Sequence, residues 1–454
     1  MKQFLIFLAL LLPIFGSTVA QAQIKQATTL TLDQALSIAF DRNVTVAQSA
    51  NSIDNAKAGV VTAYGAYLPR VIPAASFNRT GTNTPATIQQ FGSGFLAQPA
   101  QSQYINQYTL GISASYTIFD GFNRESNFSS AQINQVSAEQ TYDRTRQSIA
   151  NSVISFYLNV LRNEQQVNVF QQNLNNEKNR LDRITEQNRL GAVAIGDVYR
   201  QQSTVAQAEY NLISGQNTYD KAKADLLNLL ALDVNQDITI SDPTIASQVQ
   251  LVESDSGVQA LGSFDQLMKR ALGARPDYAV VQSNVSLADL GVSQAWSGYY
   301  PSLNLNGSLS SRNAEWSVAS QWSNHGSNIG LTLSWQMPEI FGSMQRIQNA
   351  NVAKRNAVLQ LEQKQRDIGV EVKKALLDLD AGKKLYAASV KAQVAAEQDK
   401  KIAEAKYNLG SGTLLDLQVA NTNFLNARLT TVFNSYNFYT LKKNFELVIG
   451  EKKY

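Results

Sequence analysis

The chain carries the same passage twice. Residues 63–71, Ala-Tyr-Gly-Ala-Tyr-Leu-Pro-Arg-Val, return 232 positions on as residues 295–303, Ala-Trp-Ser-Gly-Tyr-Tyr-Pro-Ser-Leu, with Tyr67 against Tyr299. Residues 189–198, Arg-Leu-Gly-Ala-Val-Ala-Ile-Gly-Asp-Val, return 219 positions on as residues 408–417, Asn-Leu-Gly-Ser-Gly-Thr-Leu-Leu-Asp-Leu. Each half opens alike, with Leu32-Asp33-Gln34 and Phe264-Asp265-Gln266. A period this long is not that of a solenoid. It predicts one pseudo-symmetric architecture made of two copies of a single unit. The shorter second offset places a deletion in the second copy, most simply in a loop. The predicted organisation is a leader over 1–22, a first repeat over 23–233, a connecting segment over 234–262 and a second repeat over 263–454.

The leader has the form of a secretory signal: Lys2, an apolar run from Phe4 to Phe15, and the small-residue site Ala20-Gln21-Ala22. That run is shorter than the ~20 residues of a membrane-spanning helix. An exported protein is expected, with the mature chain starting near Gln23. There is no cysteine, so the fold uses no disulfide, thiolate metal ligand or lipidated N-terminal cysteine. The net charge of +3 offers no footprint for nucleic acid. No later segment reads as a transmembrane helix, so entry into a bilayer would have to be by β-strands.

Within each repeat the periodicity changes twice. Residues 31–65 read as a helix carrying Leu32, Ala35, Leu36 and Ala39 on one face, closed by Pro69. Alternation follows. Val71, Pro73, Ala75 and Phe77 form a first, weaker strand, and Leu110, Ile112, Ala114, Tyr116 and Ile118 a clear second one. The second copy answers with Leu303, Leu305 and Leu309, then Ile329, Leu331, Leu333, Trp335 and Met337. The intervening residues are Ser, Thr, Asn and Gly with almost no charge, unlike the solvated face of a soluble sheet. Segments 79–107 and 311–327, rich in small polar residues, are expected to be loops. A helix then runs from Phe122 to about Leu190. Its heptad-spaced seam includes Tyr142, Ile149, Val153, Phe156, Val160, Val167, Phe170, Leu174, Leu181 and Ile184, with Arg146, Asn163, Glu177 and Asn188 as polar members. The second copy's helix, from Ser343 to about Tyr407, carries Leu361, Ile368, Val372, Ala375, Leu379 and Tyr386 at like spacing. Each ends at a glycine-bearing turn, and a shorter helix returns to about Leu232 or Val448, giving antiparallel hairpins. Residues 233–262, polar and with Pro243 and a Glu253–Gly257 run, read as the connector.

Four membrane strands cannot close a barrel, for which about eight is the least. Open edges are not tolerated in hydrocarbon. The expected fold is mainly α with β: a duplicated strand pair plus long helical hairpins, completed by other copies into an oligomeric β-barrel that continues as an α-helical barrel. The alternative is an exported coiled-coil scaffold or adhesin whose strands form a soluble sandwich without a pore.

The order helix, Tyr-x-Pro, strand pair, turn, long helix, Gly-x5-Asp turn (Gly191/Asp197 and Gly410/Asp416) and returning helix, all twice, resembles the TolC-like outer membrane efflux protein family. The resemblance implies a homotrimer in the outer membrane with a twelve-stranded barrel and a long periplasmic extension. It implies docking to a periplasmic adaptor protein and, through it, to an inner-membrane pump. The expected function is a passive export duct of a tripartite efflux pump or a type I secretion system.

Site expectations follow by position. Asp197 and Asp416, one to two turns past the tips, match the family's aperture carboxylates; the plain alternative is that they stabilise helix starts through the helix dipole. Tyr407 matches a tyrosine that tethers one hairpin to its neighbour, with Asp197 as acceptor. Gly191, Ala192, Gly410, Ser411 and Gly412 form the tips that meet the adaptor. Gly412 stands where a family arginine completes the tether, and Val419 where a second aspartate follows, so a single carboxylate ring and a weaker lock are expected. Tyr64, Tyr67, Trp296, Tyr299 and Tyr300, where helix becomes strand, suit a membrane-interface belt. His325, the sole histidine, reads as a solvated loop residue. No metal, cofactor or catalytic constellation is expected.

Overall fold

The computed structural model describes residues 29–236, 238–241, 262–320, 322, 324–335 and 340–451. The leader over 1–22, the Pro243 and Glu253–Gly257 stretches and the strand residues Gln336 and Met337 lie outside them.

Both repeats begin with the same device. Thr31 and Ser263 each cap a short helix, α1 (Leu32–Arg42) and α5 (Phe264–Ala274), in a capping box closed by Gln34 and Gln266. The single helix expected over 31–65 is two, because Asn43 interrupts it. Its side chain caps α2 (Val44–Gly65) through Thr45 N–H at 2.9 Å and donates to the Leu229 carbonyl at 3.2 Å. In the second repeat Arg275 and Pro276 make the equivalent break before α6 (Pro276–Ser297). Ala35 and Ala39 are fully buried among Val153, Tyr157 and Leu226, whereas Leu267 and Ala271 sit among Ile368, Val372 and Phe445. The two principal cores are therefore pseudo-symmetric counterparts.

The connector contributes to the first core. Its described part places β6 (Thr239–Ile240) in parallel pairing with β1 (Thr29–Leu30), with Ile240 fully buried and the Leu30 carbonyl accepting the Tyr157 hydroxyl at 2.8 Å.

The strand pairs merge into one antiparallel sheet in the order β2 (Arg70–Thr84), β5 (Gln101–Phe119), β7 (Ser302–Asn313), β8 (His325–Ser334). Register fixes its faces. Phe77, Ala75, Pro73 and Val71 lie opposite Tyr108, Leu110, Ile112 and Ala114; Ile112 and Tyr116 lie opposite Leu309 and Leu305; Leu305 and Leu303 lie opposite Leu331 and Leu333. Paired residues share a face, so one mainly apolar face runs across the four strands, interrupted by Ser311, Ser327 and His325. The other carries Ser113, Ser308 and Asn328 in one row and Thr117, Asn304 and Thr332 in another, with Thr117 donating to Asn304 at 3.0 Å. Neither face is covered: Val71, Phe77, Ile329, Leu331 and Leu333 are all more than half exposed. Among the described residues no second sheet packs on this one, as a soluble sandwich would require.

Segment 79–107 is not a loop. β2 and β5 run on for 15 and 19 residues, beyond the ~9–11 that cross a bilayer, and end in a hairpin of β3 (Thr87–Phe91) and β4 (Gly94–Gln98). Segment 311–327 holds the end of β7, a short α7 (Trp316–Ser320) and the start of β8. His325 accordingly opens a strand, with its Nδ1 at 2.9 Å from the Trp322 carbonyl. Small, polar, uncharged residues fit an extended strand as readily as a loop, so local composition could not separate the two.

Below the sheet, α3 (Asn123–Arg189) and α8 (Ile340–Asn408) have 67 and 69 residues, each about 100 Å long at ~1.5 Å per residue. α4 (Ile195–Leu229) and α9 (Leu414–Val448) return antiparallel to them. Val153, Val160, Leu174 and Ile184 of the seam are buried, whereas Phe156 is 38% exposed. Among the described residues no helix is long and apolar enough to cross a membrane.

Candidate functional site

The helical tips are built by one motif used twice. Gly191 N–H donates to Asn188 and Ala192 N–H to Gln187; Gly410 N–H donates to Tyr407 and Ser411 N–H to Lys406. These are paired Schellman closures, which require a left-handed residue after the helix cap. Gly191 and Gly410 supply it at φ 76° and 70°. Asn188 then donates to the Val193 carbonyl at 2.8 Å, and Gly412 N–H to the Lys406 carbonyl at 3.1 Å, so both turns are tied down.

The two tips lie side by side within one chain. Ile184, Val198 and Leu414 form a buried cluster with Leu181, Val193 and Tyr407 packed against it. The two aspartates lie in the first turn of each returning helix. Asp416 completes a capping box with Thr413, accepting from its hydroxyl at 2.7 Å and its N–H at 3.1 Å. Those bonds hold the exposed Asp416 carboxyl below the ordinary carboxylate range. Asp197 is paired with Arg200 at 3.0 Å. Within the single chain both aspartates therefore have local partners.

Tyr407 differs. Its hydroxyl is buried and has no hydrogen-bond partner. Burial, aided by the negative charge of Asp197, pushes the phenol above its usual range. The structure brings Tyr407 and Asp197 within electrostatic reach but makes no bond between them. A buried orphan hydroxyl costs about 1–3 kcal/mol. The phenol is a donor in want of an acceptor.

At the opposite end of the helices the aromatic residues gather. Tyr64 and Tyr67 lie 6.3 Å apart, with Phe128 at 6.4 and 5.9 Å, and Trp296 lies 5.3 Å from Tyr299. Phe119, Phe122 and Tyr300 form a second group, and the Arg124 guanidinium sits 4.4 Å over the Tyr67 ring. Phe119 and Phe128 are not among the aromatic residues expected here from the sequence, and Phe122 is expected only as the start of the long helix. The signal was the Phe-Asp-Gly-Phe run itself, where two rings flank the turn that ends β5.

Among the described residues no group of His, Asp or Glu is placed to hold a metal ion.

A sheet apolar on one face, polar on the other and continued by helical hairpins defines a class of export channel. The sequence matches the family described as outer membrane efflux protein over residues 35–232 and 267–451, most of the chain, and the protein belongs to that family. It is thus an outer membrane protein with a periplasmic helical extension, in a family of channels rather than enzymes. It is 23% identical over 322 residues to outer membrane protein TolC of Escherichia coli, covering 68% of this chain and 63% of that one. It is 24% identical over 281 residues to the pyoverdine export outer membrane protein OpmQ of Pseudomonas aeruginosa, covering 62% and 56%. The matched region thus spans less than two thirds of either relative. The Campylobacter jejuni CmeC outer membrane channel superposes with a TM-score of 0.75 at 17% identity, over 92% of this chain and 85% of that one, a likeness of fold.

Proposed function

We propose that the protein is a passive export duct of a tripartite efflux pump or type I secretion system, assembled as a homotrimer. The observation that carries this reading is the sheet exposed on both faces, with no strand on the outer edges of β2 and β8 among the described residues. Such edges must be paired in hydrocarbon. Three copies joined β8 to β2 supply twelve strands, apolar outside and lined within by Ser, Thr, Asn and Gly. Tyr64, Tyr67, Trp296, Tyr299 and Tyr300 then form the periplasmic-side interface belt. The test is direct. The purified mature chain should require detergent and raise the ion conductance of a planar bilayer; a freely soluble, non-conducting monomer overturns the reading, and with it the rival scaffold or adhesin gains.

The tips are the gate. Asp416, and with it Asp197, ring the aperture, and a periplasmic adaptor engages Gly191, Ala192, Gly410, Ser411 and Gly412 to part them, linking the duct to an inner-membrane pump. Opening is a shift between two states biased by that partner. In a salt gradient, Asp416→Ala should move the reversal potential of the resting channel toward zero cation preference. An unchanged reversal potential removes Asp416 from the aperture.

Tyr407→Phe separates two outcomes. If the hydroxyl stays unpaired in the assembly, its loss leaves stability unchanged or raises it by about 1 kcal/mol. If a neighbouring subunit supplies the acceptor, the variant should leak, with resting conductance raised several-fold. The tether reading requires the second result.

A further inference from the structure

The seam of α3 is interrupted by a carboxylate that nothing above uses. Glu177 is 0% exposed, at a position where an apolar residue belongs. Arg180, one turn on, donates to it at 3.1 and 3.3 Å. Gln201 of α4 donates to its Oε2 at 2.7 Å and to its backbone carbonyl at 3.2 Å. Asn421 of α9 donates to Oε1 and to Asn173. One residue layer away, Gln418 of α9 donates to Gln201 at 3.3 Å and to Thr204 at 3.0 Å. Three helices from both repeats therefore converge on one buried anion, about 20 Å up α3 from Gly191 at ~1.5 Å per residue.

The second repeat has no counterpart: the positions equivalent to Glu177 and Gln201 are Ala396 and Ala420. The layer is thus not a generic feature of the hairpin. It binds the returning helix of the second repeat to the first hairpin, and leaves α8 out of its hydrogen bonds. Separating α9 from α3 at this level would take the Asn421 amide from the buried Glu177 carboxylate and from Asn173, leaving only Arg180 and Gln201 on that carboxylate. Below it, the contact between tips is the apolar Ile184, Val198 and Leu414 cluster with Tyr407, which has no directional bonds to lose.

We propose that the Glu177 layer is the fulcrum of tip movement: α9 stays clamped to α3 and α4 at Asn421, and opening is confined to the turns between that layer and the tips. This rests on the tips being the gate. The test uses the full mature chain with Asn421→Ala and Asn421→Asp, both milder than removing Glu177. Asparagine and aspartate are isosteric, so the aspartate variant keeps the packing volume that alanine loses and changes only the donor and the charge. At a clamp it is the harsher, because it cannot donate and repels Glu177. Amide exchange over 414–421 should accelerate about threefold for alanine and about tenfold or more for aspartate, while 430–447 is unchanged. Resting conductance should rise in the same order. An aspartate variant milder than the alanine, or exchange rising equally above the layer, overturns the fulcrum. Should the wild-type chain fail to conduct, the gate reading falls, and the exchange comparison still decides whether the clamp exists.

Discussion

Arg275→Ala is expected to destabilise the fold by about 3 kcal/mol, the low end of what breaking a buried ion pair costs. The Arg275 side chain is 1% exposed and stands where the first repeat uses Asn43. Its guanidinium donates to both oxygens of Asp277 at 3.0 and 2.8 Å, to Glu371 at 2.6 Å and to the Val448 carbonyl at 3.4 Å. One side chain therefore ties together α5, α6, α8 and the end of α9. The loss stays near the low end because Glu371 is half exposed and Lys364 remains 2.7 Å from Asp277. Lysine should rescue little, since a point charge cannot serve two carboxylates in a planar fork.

The same cluster sets an acid dependence. Burial opposes ionisation of Asp277, but hydrogen bonds from Arg275 and Lys364 and the charge of Arg144 outweigh it, holding the carboxyl well below the ordinary range. A depressed folded pKa gives stability that is present above the unfolded value, near ~3.9, and drains away as pH falls through the folded one. The wild type should lose this increment below about pH 4. In Arg275→Ala much of it is already gone, so the stability curves of the two proteins should converge in acid. Denaturation midpoints followed by helical circular dichroism across pH would check both statements; parallel curves contradict them.

Gly121→Ala should be of similar size, about 2–5 kcal/mol, from left-handed backbone strain and overpacking together. Gly121 sits at φ 71°, and a Cβ there would lie 2.5 Å from the Ser297 carbonyl oxygen and 2.9 Å from the Tyr300 Cβ. The turn that ends β5 in the first repeat is thus pressed against the helix end that precedes β7 in the second. Neither backbone can yield without moving the sheet relative to the helices. Gly59→Ala is the matching control: its Cβ meets nothing within 4 Å, and a helix interior gains about 0.5–1 kcal/mol from the exchange. A thermal midpoint of Gly121→Ala equal to that of the wild type would show that the junction is plastic.

Much of this was legible beforehand, for a physical reason. Duplication presents each pattern twice, so the weak alternation at Val71–Phe77 gained weight from Leu303–Leu309. The long helices announced themselves through absent proline and a sustained seam. The break at Asn43 was hidden because asparagine neither stops a helix nor clashes within it; only the cap it makes to Thr45 and the carbonyl it meets on Leu229 end α1. The strands in 79–107 were hidden because pairing partners far along the chain, not local propensity, extend them. At the tips, the glycines and aspartates could be located by position, while the burial of the Tyr407 hydroxyl depended on how two hairpins 219 residues apart come together.

The pairing of β5 with β7 has a wider consequence. That seam, where the first copy of the unit meets the second, has the geometry that β8 would use to meet β2 of the next chain. A ring of such chains is then an alternating cycle of sister modules, each free to specialise because its twin keeps the shared geometry. Here one module holds the buried Glu177 and the other the capped Asp416, so in the proposed ring two unlike tips would alternate around the circumference.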